Sequence, residues 1–164
     1  MGRVGIACSV FFVLFATSTS GAEFPARKAG LWEITMTGAH TFTVRQCSDA
    51  ATDEAMEQTI LGVAGDCAKR DVERAGGMIT VVSVCKSARK TMTSHVVITG
   101  SLDSEYTMTL TKQSTGRSTG SSMTMSAKWL GPCGAGQKPG DVIMPNGTKF
   151  NILDLPKGSD SAAR

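Results

Sequence analysis

Aromatic side chains are scarce: six Phe, two Trp and one Tyr make up 5% of 164 residues, and Phe11, Phe12 and Phe15 fall within the first sixteen. So few rings disfavour a large stacked cofactor such as haem. Lys and Arg number 17 against 14 acids, a formal charge of +3, and they are scattered except for Lys86, Arg89 and Lys90, which read as a solvated loop after a strand. Without a basic stripe or interleaved aromatics, nucleic acid is not an expected partner. Histidine is limited to His40, beside an expected turn, and His95, within an expected strand, and neither has a ligand-spaced carboxylate or histidine. No serine occupies a strand-to-helix elbow and no glycine-rich phosphate loop occurs. Asp103 and Glu105 share one face of a strand, which general acid–base chemistry can use, but a solvated pair flanking a turn is the commoner case. The expectation is a protein that is not an enzyme, with no catalytic, cofactor-binding or metal-ligating residues assigned.

Long apolar runs are missing too. The longest, Val4 to Ala16, spans thirteen residues, short of the roughly twenty that cross a bilayer as a helix. Arg3 before it and Ser20-Gly21-Ala22 after it complete the three-part pattern of a secretory signal peptide over residues 1–22. Cys8 does not suit a lipoprotein reading, because almost no apolar segment precedes it. Cleavage after Ala22 leaves a chain starting at Glu23, 142 residues long, enough to bury about two-thirds of its unfolded surface as a single domain. Loss of Arg3 lowers the basic count from 17 to 16 against 14 acids, a charge of +2. The expected domain covers 23–156, followed by a tail over 157–164, and the expected location is the periplasm.

Four cysteines then remain, Cys47, Cys67, Cys85 and Cys133, with 19, 17 and 47 residues between neighbours. Those gaps match no zinc pattern, which needs closely paired ligands, and an even count in an exported chain reads as disulfides. Three connectivities are open. A three-residue hairpin loop at Ala75-Gly76-Gly77 would set Arg74 opposite Met78 and, in the same register, Cys67 opposite Cys85. That favours Cys67 with Cys85 and leaves Cys47 with Cys133.

Alternation with period two dominates from Leu31 onward and marks strands with one buried face. Ile34 and Met36 alternate with Glu33, Thr35 and Thr37; beyond Gly38-Ala39, Phe42 and Val44 alternate with Thr41, Thr43 and Arg45, which predicts a hairpin. Further strands are expected near 67–74, 78–85, 91–99, 104–112 and 121–130, with glycine- or serine-rich breaks between them. Ser48 to Gly62 departs from the rhythm: Met56, Thr59, Ile60 and Val63 recur at helical spacing, Ser48 can cap, and Asp49, Asp53 and Glu54 suit a helix N-terminus. Pro145-Asn146-Gly147 marks a further turn between "DVIM" and "TKFNIL". The fold class is mainly β: an antiparallel meander of about six to eight strands, curved or closing into a partial barrel, with one short helix.

Met36, Met92, Met108, Met123 and Met125 all fall on expected strands. Thioethers favour Cu(I), but these alternate with Thr or Ser as core residues do, and methionine is an adaptable filler. The opposite faces carry Thr35, Thr37, Thr41, Thr43, Thr91, Thr93, Thr107, Thr109, Thr111 and Thr124. They read as an outer strand surface in preference to a hydroxyl array for ice or glycan. A curved meander with Met, Val, Ile, Leu and Trp on its concave side makes a cavity for a small apolar ligand. The expected function is therefore non-enzymatic small-ligand binding or an envelope-associated structural role, and the expected partner is a small apolar ligand or an envelope component. Periplasmic copper handling or a stress-related carrier using the methionines is the alternative.

Several stretches are familiar as a set: "KAGLWEITM", "RQCSDAATDEAM", Cys67 and Cys85 flanking a hairpin, and "KWLGPC". Together they resemble DUF3617, a family of small exported bacterial proteins defined only as a domain of unknown function. The likeness runs from about Lys28 to Cys133, with "KPGDVIMPNGTKFNILD" resembling a tail found in some members. It implies periplasmic residence, a mostly antiparallel β fold and paired cysteines, and no activity. Ala29 departs from the family's Lys-Pro-Gly-Leu-Trp-Glu opening, which alters a turn. Trp32 and Trp129, at the ends of the meander, are expected to pack where its first and last strands meet.

Overall fold

The computed structural model describes residues 25–60, 67–87, 90–116 and 119–155. The expected signal peptide and the tail from 157 lie outside the described residues, as do Arg89 and residues 61–63 of the expected helix. Among the described residues, nine antiparallel strands form one open sheet. They are β1 (Gly30–Thr37), β2 (Phe42–Ser48), β3 (Cys67–Ala75), β4 (Met78–Ser87), β5 (Lys90–Ser101), β6 (Glu105–Ser114), β7 (Ser121–Gly131), β8 (Asp141–Ile143) and β9 (Lys149–Asn151). Their spatial order is β3-β4-β5-β6-β7-β1-β2-β8-β9. The meander from β3 to β7 is thus followed by β1, and the free edges of β3 and β9 stay apart, so the barrel is not closed. No helix among the described residues is long and apolar enough to cross a membrane.

The alternation sorts side chains cleanly onto two faces. In one inner line Ile79, Ile98, Met108, Met125 and Met36 are directly opposed across five strands. Neighbouring lines add Val81, Val96, Leu110 and Ile34, all buried. On the outer face Thr99, Thr107, Ser126, Thr35 and Thr43 stand in register across β5, β6, β7, β1 and β2. Two of those hydroxyls, Thr35 and Thr43, bond each other at 2.9 Å.

Trp32 and Trp129 are cross-strand neighbours on β1 and β7. The Trp32 indole is fully buried and donates to the Lys28 carbonyl at 2.8 Å, so its one polar atom carries no desolvation cost. Lys28 Nζ lies 3.7 Å over the Trp129 ring. This corner needs glycine at position 30, where φ is +137° and a Cβ would strike the Gly131 carbonyl and the Trp129 indole.

The β3–β4 connection differs from the expected three-residue loop. Ala75 faces Met78 and Arg74 faces Ile79, leaving Gly76-Gly77 as a two-residue turn with φ of +59° and +75°. Two successive positive φ angles match the strand twist, which glycine permits without a steric cost. A bulge between Cys67 and Lys69 then shifts the register by one and sets Cys67 opposite Cys85. The cysteines pair as Cys67 with Cys85 and Cys47 with Cys133, the latter closing 86 residues of sequence.

Helix α1 (Ala50–Ile60) starts one residue later than a Ser48 cap implies. Ser48 ends β2, and Asp49 is the cap: its Oδ1 accepts from the Thr52 backbone N–H at 2.9 Å while Thr52 Oγ1 accepts from the Asp49 N–H at 2.7 Å. The reciprocal pair is a capping box. From β2 the helix runs over the inner face to the opposite edge, where Glu57 meets Arg70 of β3 at 2.7 Å. It also packs on the 3₁₀ turn Ile152–Asp154 after β9.

Candidate functional site

A cavity of about 60 Å³ separates α1 from the inner face. Ile34, Val96, Ile98, Met108 and Met125 form its sheet side, and Met56 reaches it from the helix. At roughly 10–15 Å³ per water-sized group, the space admits about four to six non-hydrogen atoms.

Polar residues gather at one end of the cavity, bonded chiefly to one another. Arg27, just before β1, gives Nε to Asp53 Oδ1 at 2.9 Å and its backbone N–H to Oδ2 at 3.1 Å. The Ser48 hydroxyl donates to the same carboxylate. Arg27 Nη2 donates to Gln46 Oε1 at 2.9 Å, and the guanidinium sits 5.6 Å over the Trp32 ring. Tyr106 meets Trp32 edge to face at 5.5 Å. Burial raises the Tyr106 pKa, partly offset by the positive charge of Arg27, so the phenol stays protonated. Arg27 and Asp53 side chains are only 7% and 13% exposed, so each requires the other. Gln46, 1% exposed, has no partner for Nε2.

Further along the inner face runs a second polar line, Arg70, Ser83, Ser94 and Lys112, directly opposed across β3 to β6. The hydroxyls of Ser83 and Ser94 are buried without a hydrogen-bond partner. Burial lowers the Lys112 pKa.

The residues weighed from sequence fall elsewhere. His40 and His95 are exposed, the latter on the outer face of β5. Asp103 sits exposed in the β5–β6 turn, and Glu105 is exposed opposite Lys128. Among the described residues no group of three or more His, Cys, Asp or Glu is placed to hold a metal ion. Met36, Met108 and Met125, read from sequence as core filler on their strands, stand side by side, and Met108, Met125 and Met56 share one cavity. Arg27, Gln46 and Tyr106 were not signalled, because pairing across 19 and 26 residues of chain leaves no local pattern. Asp53 was visible only as an acid near a helix N-terminus.

The class defined by these features is a disulfide-bonded, open antiparallel sheet on which the single α-helix among the described residues overlies a small, partly open and mostly apolar cavity. Residues 27–133 match the family described as "Protein of unknown function (DUF3617)". The chain belongs to that family, whose matched region opens on Arg27 and ends on Cys133. No curated protein and no solved structure matches the chain.

Proposed function

We propose that this protein is an exported, non-enzymatic carrier that takes a small apolar molecule into the cavity beneath α1. The observation that carries this reading is the cavity itself, walled by Ile34, Val96, Ile98, Met108 and Met125 and overlain by Met56. Concave, apolar space with a few convergent polar groups is the usual form of a small-molecule site. The non-enzymatic part rests on the state of the charged groups there: Arg27 is paired with Asp53 and Glu57 with Arg70. Export to the periplasm rests on the leader-like first 22 residues and two cysteine pairs at bonding distance. Native mass spectrometry of protein purified from the periplasm tests both parts. A mature chain starting at Glu23 with a low-mass apolar adduct is expected; an uncleaved chain contradicts export, and an empty protein unmoved in melting temperature by aliphatic compounds contradicts carriage.

A second reading, Cu(I) held by thioethers, draws support from Met56, Met108 and Met125 lining one cavity. Anaerobic Cu(I) titration separates the two. Stoichiometric binding lost in Met108→Leu favours copper, and the absence of binding favours the apolar ligand.

A further inference from the structure

We infer that the ligand is a single unbranched alkyl chain, its tip in the cavity beneath α1, its remainder lying outward across Met36 to Phe42 and its head group in water. The inference rests on the cavity reading above and adds the ligand's chemical class and its path.

The cavity sets the first limit. Its 60 Å³ admits about four to six non-hydrogen atoms. The polar groups beside it are engaged with one another, Arg27 with Asp53 and Gln46, and Glu57 with Arg70. What enters is therefore apolar, and a longer ligand must leave over an apolar floor.

One line of the inner face supplies that floor. Ile98, Met108 and Met125 line the cavity. Met125 is directly opposed by Met36 of β1, and Met36 in turn by Phe42 of β2. Exposure grows outward along this line: Met125 is 6% exposed, Met36 half-buried and Phe42 39% exposed. Half-buried Met123, two residues from Met125 on β7, widens the floor. Toward the other edge the same line passes from Ile98 to Ile79 and stops at Arg74, and α1 meets that margin at Arg70. The apolar path thus runs out over β1 and β2, and flexible thioethers suit a mobile chain better than a rigid ring. Beyond Phe42 come exposed His40 and Thr41, where a head group stays in water.

Geometry also gives a length. Met125 to Phe42 is two strand spacings, about 10 Å, which a carbon chain covers in about eight bonds at roughly 1.3 Å each. With about four to six atoms inside the cavity, the chain has about twelve to fourteen carbons.

The test is an NMR titration of the disulfide-bonded chain with hexanoate, octanoate, decanoate and dodecanoate below their micelle concentrations, and with dodecyl maltoside as an uncharged counterpart. Hexanoate is expected to shift the Met108 and Met125 methyls and leave the Phe42 ring unmoved. Dodecanoate is expected to shift all three and Met36 saturably, with affinity rising about fourfold per added carbon along the series. Dodecyl maltoside is expected to match dodecanoate. Phe42→Ser, a change at an exposed side chain, is expected to weaken dodecanoate about tenfold and leave hexanoate unchanged. Dodecanoate that binds no tighter than hexanoate, with saturable shifts of the cavity methyls, overturns the chain assignment and leaves the cavity reading standing. Affinity that grows with length while Met36 and Phe42 stay unmoved overturns the path, and failure of dodecyl maltoside to bind overturns the placement of the head in water. Methyls that respond to no probe overturn both the chain and the cavity.

Discussion

Arg27 joins three parts of the chain through one guanidinium: Asp53 on α1, Gln46 on β2 and the face of Trp32 on β1. An ion pair this buried is weak evidence of net stabilisation, but breaking it strands a charge. Asp53→Asn is therefore expected to lower unfolding stability by about 3 kcal/mol or more, measured by urea titration; a loss under about 1 kcal/mol contradicts the burial described. The second polar line predicts the opposite sign. Lys112 is held on the inner face with its charged form disfavoured by burial, so Lys112→Met is expected to raise the melting temperature, and a drop contradicts its placement. Asp141 gives a pH signature. Lys149 Nζ at 2.7 Å, the Lys138 backbone N–H and Asn151 bring its carboxyl down to about 2. A folded pKa below the unfolded value of about 3.9 gives stability that is complete above the latter and lost as pH falls through about 2. Acid unfolding of Asp141→Asn is expected to be flatter across that window, and an unchanged slope contradicts it. At this scale the sequence was least informative: Gln46 and Arg27 are unremarkable in a linear reading, because what marks them is a neighbour brought in by folding.

Elements were far more legible, for a physical reason. Period-two alternation writes the two faces of a strand into the order of residues, so β1, β2, β4, β5, β6 and β7 followed from Leu31 onward with ends off by a few residues. Turn geometry was harder. Gly76 and Gly77 announced a hairpin but not its loop length, and the bulge after Cys67 compensates in a way no spacing rule contains. Asp49 took the cap from Ser48 because Ser48 stays extended as the last residue of β2. Asp49→Ala is expected to cost about 1 kcal/mol by removing that cap, read by thermal unfolding. Gly30→Ala is expected to cost more, through positive φ and collision with Gly131 and Trp129; wild-type stability in this variant contradicts the close approach of β1 and β7.

For the whole molecule, the open sheet leaves two edges to protect. β3 is rich in charge, with Arg70, Asp71, Glu73 and Arg74, which discourages edge-to-edge pairing. β8 and β9 are only three residues long each. Curvature appears as a contact pattern: α1 ion-pairs with β3 at one margin and packs near β9 at the other. Curling was legible from the strand count, but whether the edges would meet was not, since closure depends on strand tilt and stagger. Crosslinks act at this scale. In a chain-entropy account the 86-residue closure by Cys47–Cys133 contributes about 4–5 kcal/mol and the 18-residue closure by Cys67–Cys85 about 3 kcal/mol. Replacing the first pair by alanines is expected to lower the urea midpoint further than replacing the second, and the reverse order contradicts that ranking. α1 overlies an apolar void on the inner face. Its most direct measurement is methyl NMR under xenon pressure: saturable shifts confined to Met56, Met108 and Met125, with exposed Met78 following only the bulk gas, are the expected result. Linear, uniform shifts across all four methyls would show that the space is filled and that nothing is carried there.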